Sequence, residues 1–189
     1  MRIVHSIIAL VLFSSFVSVR GHQQPQTPSS PRTVVTVASM FTSYPKLELQ
    51  AKEIGDALVQ KDFQRFTALT YPKLIEMAGG KEKFMRALVE ETNKEAAQGL
   101  QVLSSIPTDV TQFLKVSGSL YAVMPTTLRM KMRGDLFESY GCLLGISSDQ
   151  GKHWTFMDPG SGGLKDLLPS VADKLSLCPA KRPVKLTNQ

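Results

Sequence analysis

Two carboxylates and a phenol are the residues of this chain whose types and spacing could do chemistry. Glu138 and Tyr140 stand two apart in an alternating run from Glu138 to Ile146, where Tyr140, Cys142, Leu144 and Ile146 share one face. If that face looks into an apolar cavity, Glu138 looks into it as well. Asp158 shares a side with Trp154 and Phe156 in the next run. A carboxylate beside a phenol in a dry cavity could take a proton from carbon while the phenol holds the enolate. The plainer alternative places Glu138 and Asp158 at strand ends, solvated or binding a turn. No catalytic residue is assigned on this basis.

Other chemistry-bearing types are dispersed. The histidines are His5, His22 and His153, with no metal-ligand spacing among them, so neither metal nor cofactor is expected. Asp158-Pro159-Gly160-Ser161-Gly162-Gly163 is glycine-rich without the spacing of a phosphate loop. Cys142 and Cys178 have no nearby histidine to activate them. In an oxidising compartment they could pair, provided their alpha carbons come within ~7 Å; two buried free thiols are the alternative.

Ser147, Asp149, Gly151 and Trp154 bracket a turn between two apolar runs. Their spacing resembles the Asp-box, a turn motif of sialidases and other beta proteins. The resemblance implies a structural role, with the Asp side chain binding backbone donors and the Trp packed beneath. Propellers carry the motif in several copies at regular spacing, and this chain has one, which excludes a sialidase reading.

The elements that must position these residues follow from hydrophobic period. Leu47, Ala51, Ile54 and Leu58 recur at helical spacing, with Lys52, Glu53 and Asp56 opposite. Asp62 is placed to cap a second helix whose buried stripe is Phe63, Phe66 and Leu69, and Tyr71-Pro72 breaks it. After the Gly79-Gly80 turn, a third helix is expected from Lys81 to Gln98. Phe84, Leu88 and Ala97 should point inward, and Glu90, Glu91, Lys94 and Glu95 outward. Beyond Gly99 the period becomes two. Leu128, Met130 and Met132 alternate with Arg129, Lys131 and Arg133, as in a strand with one solvated face.

The N-terminus has the pattern of a secretory signal. Arg2 precedes a short apolar stretch, Ile7 to Phe13, and a cut is expected after Gly21. That apolar stretch is shorter than the ~18 residues of a spanning helix, so no stable membrane anchor is expected. Cleavage would leave His22 at the new terminus, where an amine and an imidazole could hold copper. The net charge of +6 is not a nucleic-acid footprint. Two of its charges, Arg2 and Arg20, fall in the leader, and Lys181, Arg182 and Lys185 fall in a C-terminal tail without acids. The body has little net charge, so no specific nucleic-acid binding is expected.

Gly55-Asp56-Ala57-Leu58-Val59, then Lys61-Asp62-Phe63 with Phe66 and Leu69, resemble the opening helices of the nuclear transport factor 2-like superfamily. The likeness covers roughly Leu47 to Asp158. It implies an α+β fold in which N-terminal helices pack on a curved antiparallel sheet to form a cone with an open end. The superfamily holds isomerases, dehydratases and cyclases as well as noncatalytic domains that dimerise or bind ligands.

The expected organisation is a signal peptide over 1–21, a flexible linker over 22–43, the cone domain over 44–160, and an extension over 161–189 with a short helix and a basic tail. The expected role is that of an exported (secreted or periplasmic) noncatalytic domain binding a small apolar ligand or a protein partner. The alternatives are a small lyase or isomerase using Glu138, Tyr140 and Asp158, and a structural homodimer with a filled cone.

Overall fold

The computed structural model describes residues 44–161, 163–179 and 181–186; the expected leader and linker lie outside the described residues. Among the described residues, four helices come first: α1 (Pro45–Gln60), α2 (Phe63–Leu69), α3 (Pro72–Met77) and α4 (Lys81–Ala97). Six strands follow: β1 (Leu100–Pro107), β2 (Gln112–Val116), β3 (Ser119–Met132), β4 (Asp135–Ser147), β5 (Thr155–Met157) and β6 (Lys181–Leu186). A one-turn helix α5 (Leu164–Leu167) lies between the last two strands. Among the described residues, no helix is long and apolar enough to cross a membrane.

Local chemistry sets the helix boundaries. Pro45 opens α1, where its missing N–H costs nothing, and Lys61 ends it in the left-handed region at φ 58°. Asp62 caps α2 by accepting from the Arg65 backbone N–H at 2.9 Å. Tyr71-Pro72 does end α2, but Pro72 also starts the additional helix α3. At the α2–α3 break, the Tyr71 N–H donates to the Phe156 carbonyl at 2.8 Å, tying the helices to β5.

The sheet is antiparallel, with order β1-β3-β4-β5. β3 is shared between two partners: β2 pairs with its first half and β1 with its second. Pro125 stands at that changeover, where a residue without an N–H is tolerated. β4 runs against the whole of β3, and on its other side pairs with β5 over Leu144–Ile146 and with β6 over Leu136–Tyr140. The hairpin between β3 and β4 turns at Arg133 (φ 51°) and Gly134 (φ 94°), the positive angles that a tight two-residue turn requires. The sheet curls around the helices as a half-barrel, so the fold is an α+β cone.

Both faces of one half of the sheet are covered. On the inner face, Leu47, Ala51 and Ile54 of α1 pack with Leu120, Ala122, Met124, Trp154 and Phe156. On the outer face, Tyr121, Val123, Leu144, Ile146 and Met157 pack under Leu167, Leu168 and Val171 of the C-terminal segment. Cys142 and Cys178 form a disulfide with alpha carbons 5.5 Å apart. It anchors that segment just before it enters the sheet as β6. Lys181, Arg182 and Lys185, expected in a separate basic tail, therefore sit on a sheet strand. Lys185 pairs with Asp135 at 2.7 Å, and the Lys181 ammonium lies 4.9 Å from the Tyr140 ring centroid.

Candidate functional site

Between the inner face of the sheet and the helices lies a cavity of about 580 Å³. α1 contributes Ile54, Gly55 and Leu58, α2 contributes Phe66, and α4 contributes Phe84, Leu88, Thr92 and Glu95. The floor comes from Leu100, Val102 and Ser105 of β1, Thr126 and Leu128 of β3, Ser139 of β4 and Phe156 of β5. α1 comes very close to the floor at Gly55: a Cβ there would sit 2.5 Å from the Ser105 carbonyl oxygen. The missing side chain lets the helix cross at that distance.

Among the described residues, no strand pairs with β4 from Gly141 to Leu143 on the side opposite β3, since β5 pairs over Leu144–Ile146 and β6 over Leu136–Tyr140. Gly141, Cys142, Leu177, Cys178 and Pro179 border the cavity at that gap. The disulfide is therefore part of the cavity wall.

The register separates the three residues singled out in the sequence. Gly145 of β4 faces Ala122 of β3 and Phe156 of β5, so the odd positions of β4 look toward the helices. Glu138, Tyr140, Cys142, Leu144 and Ile146 are on the outer face instead. The expectation that they point inward is corrected: Leu144 and Ile146 are buried by the C-terminal segment, a second layer that the alternation alone did not reveal. Glu138 accepts from the Tyr140 hydroxyl at 2.5 Å and from Arg129 Nε at 3.0 Å. These two donors hold its carboxyl below the usual range, the Tyr140 bond most of all. The same bond raises the Tyr140 phenol. Tyr140 also borders the cavity at the gap, but its hydroxyl is committed to Glu138.

Asp158, by contrast, lines the cavity. Its Oδ1 accepts the Gly160 backbone N–H at 2.7 Å, and burial pushes its carboxyl up to about 6 against that bond. Glu95 joins it there. Burial first, then repulsion from Glu91, pushes Glu95 up to about 7, opposed by Lys94. Glu95 was expected on the wet side of its helix. Its spacing carried the contrary signal, since Phe84, Leu88, Thr92 and Glu95 follow one another at steps of four, four and three. Ala97, expected inward, is exposed.

The turn at Ser147–Trp154 lies at a different place and is structural. The Ser147 hydroxyl donates to Asp149 Oδ1 at 2.8 Å and accepts the Gly151 N–H at 2.9 Å. Asp149 also accepts the His153 backbone N–H at 2.9 Å and meets His153 Nδ1 at 2.6 Å, which holds its carboxyl far below the usual range. Trp154 is buried with its indole N–H on the Gly151 carbonyl at 3.2 Å. Gly151 (φ 86°) lies against the Tyr44 ring, where a Cβ would collide.

Fold and site together define an α+β cone with an apolar cavity holding two carboxyl groups in its wall. Compared with known proteins, the chain matches no family model, no curated protein and no solved structure.

Proposed function

We propose that this chain is an exported, noncatalytic binding domain whose cone takes one small, mainly apolar ligand. The observation that carries this is the cavity: about 580 Å³, walled by Leu, Ile and Phe side chains with a few polar groups. Ligand sites are typically ~300–1,000 Å³ with this kind of lining. A structural homodimer with a filled cone is less well supported, because the cone is open. The isomerase reading loses its constellation, since Glu138 is not among the residues that line the cavity and the Tyr140 hydroxyl is committed to it. Export is supported by the Cys142–Cys178 bond, of a type that persists mainly in oxidising compartments. Membership of the nuclear transport factor 2-like superfamily is part of the same proposal and is supported by the order of helices and strands.

Binding of the neutral fluorophore N-phenyl-1-naphthylamine, with native mass spectrometry of protein purified from its own source, tests the reading. Ser139→Trp adds a large side chain to the cavity floor. The fluorophore should bind the parent protein and fail to bind this variant, and any retained small molecule should be lost with it. A parent protein that neither binds the fluorophore nor carries a ligand would refute the proposal.

A further inference from the structure

We propose that the uncovered half of the sheet's outer face docks on an anionic lipid surface. This goes beyond the ligand reading above and does not depend on it. The C-terminal segment covers the outer face over Tyr121, Val123, Leu144 and Ile146. The other half, where β1, the end of β3, the start of β4 and β6 lie side by side, is open among the described residues. Ile106 is 53% exposed there, Val184 52% and Leu103 40%.

Register fixes what that half presents. Leu128 and Met130 of β3 are buried toward the helices, so Thr127, Arg129 and Lys131 leave on the outer side. Their partners on β4 are Tyr140, Glu138 and Leu136. On β6, Val184 stands opposite Glu138, and Leu186 opposite Leu136. On β1 the register shifts between Val102 and Ser104, which leaves Leu103 as the extra residue of a bulge. A bulge sets two successive residues against one partner, so Leu103 joins Ser104 opposite Arg129, while Val102 and Ser105 line the cavity. Ile106 follows on the outer side, opposite Thr127.

The face therefore mixes aliphatic side chains with cations. Leu103, Leu136 and Leu186 share a shallow hollow with Lys131. Among the described residues this half carries three cations, Arg129, Lys131 and Lys181, against one carboxylate, Glu138. Glu138 is already held by Arg129 and Tyr140, and Lys181 lies over the Tyr140 ring. A membrane surface uses both components: aliphatic tips enter the boundary between headgroups and acyl chains, and the cations meet phosphates. The long stems of Arg129 and Lys131 let their charges rise to headgroup level while the stems stay in apolar contact. The curl of the sheet makes this face convex, a shape that can touch a plane. A second copy of the chain would set like charge against like across the face. A soluble polyanion would meet the cations and leave Leu103, Ile106 and Val184 without a partner.

Co-flotation of the exported protein with vesicles tests the proposal. The vesicles are phosphatidylcholine alone, or equal parts phosphatidylcholine and phosphatidylglycerol. Binding should require the anionic lipid and weaken with added salt. Arg129→Gln combined with Lys131→Gln should weaken it on the order of twentyfold, each cation near such a surface being worth about fivefold. Leu103→Ser combined with Ile106→Ser should weaken it about tenfold. Lys73→Gln combined with Arg86→Gln removes the same charge from exposed positions on the helices and should bind as the parent does. No binding, or equal binding to both vesicles, overturns the proposal. So does an equal loss in the helix variant, which would make net charge the cause. Unchanged binding by the serine variant assigns the face to a soluble polyanion and overturns the lipid surface. A dimer in sedimentation that the serine variant breaks assigns it to a second copy, with the same result. Should a variant not fold, hydrogen exchange of the parent on anionic vesicles decides: slowing over residues 101–106 and Lys181–Leu186 supports the face, and slowing elsewhere but not there overturns it.

Discussion

Replacing Cys142 and Cys178 by serine removes the bond that ties the C-terminal segment to the outer face of the sheet. The two cysteines are 36 residues apart. Closing a loop of that length removes about 13 cal/mol/K of chain entropy from the unfolded state, which is about 4 kcal/mol at 25 °C on the chain-entropy account. For a domain of this size each kcal/mol moves the melting temperature by roughly 2–4 °C, so a fall of about 10 °C is expected. Loss should also be local. β6 pairs with β4 over only a few residues, and Leu167, Leu168 and Val171 cover Leu144 and Ile146 from the same segment. Amides of Lys181–Leu186 should therefore exchange earlier than those of β3 and β4 in the serine variant. Urea melts of the parent protein, the parent with a phosphine reductant, and the double serine variant give the global value, and hydrogen exchange gives the local one. Equal midpoints for all three samples, with β6 protection unchanged, would refute the reasoning.

Two further outcomes follow from the site residues. Asp158 has its folded-state pKa raised to about 6 from an ordinary 3.8, so the folded state binds the extra proton between those values and stability falls as pH rises through that window. Asp158→Asn should remove about 2–3 kcal/mol of that fall, seen as a variant that gains on the parent from pH 4 to pH 8; parallel stability profiles would count against it. Asp149→Ala should lower the melting temperature by several degrees through loss of the acceptor for His153 N–H and Ser147 Oγ; an unchanged melting curve would mean that the turn is held by other contacts.

Much of the frame was determined by the chain's local patterns. Leu47, Ala51, Ile54 and Leu58 specify α1 because a helix places every third or fourth residue on one side, and the burial of the first three follows that spacing. Asp62 specifies the start of α2 because a short acceptor satisfies an otherwise orphaned N–H. Ser147, Asp149, Gly151 and Trp154 specify their turn because the hydrogen bonds that join these four to one another span no more than four positions. These are interactions of short range, and sequence records short range directly.

The cavity's composition was decided only by tertiary structure. Alternation shows that Leu144 and Ile146 leave β4 on one face, but not which layer covers that face. Residues 164–178 cover it, so Glu138 and Tyr140 leave β4 on that outer face, Tyr140 reaching the cavity only at the gap, while Asp158 lines the cavity. The same holds for Glu95. Charge suggests solvent for an isolated helix, but α4 stands over a curved sheet, and the cone turns that part of the helix toward its interior. Which side of an element is inside depends on what packs against it from afar. The physical reason is that period sets the faces of a strand or helix, whereas burial of a face is a property of two elements at once.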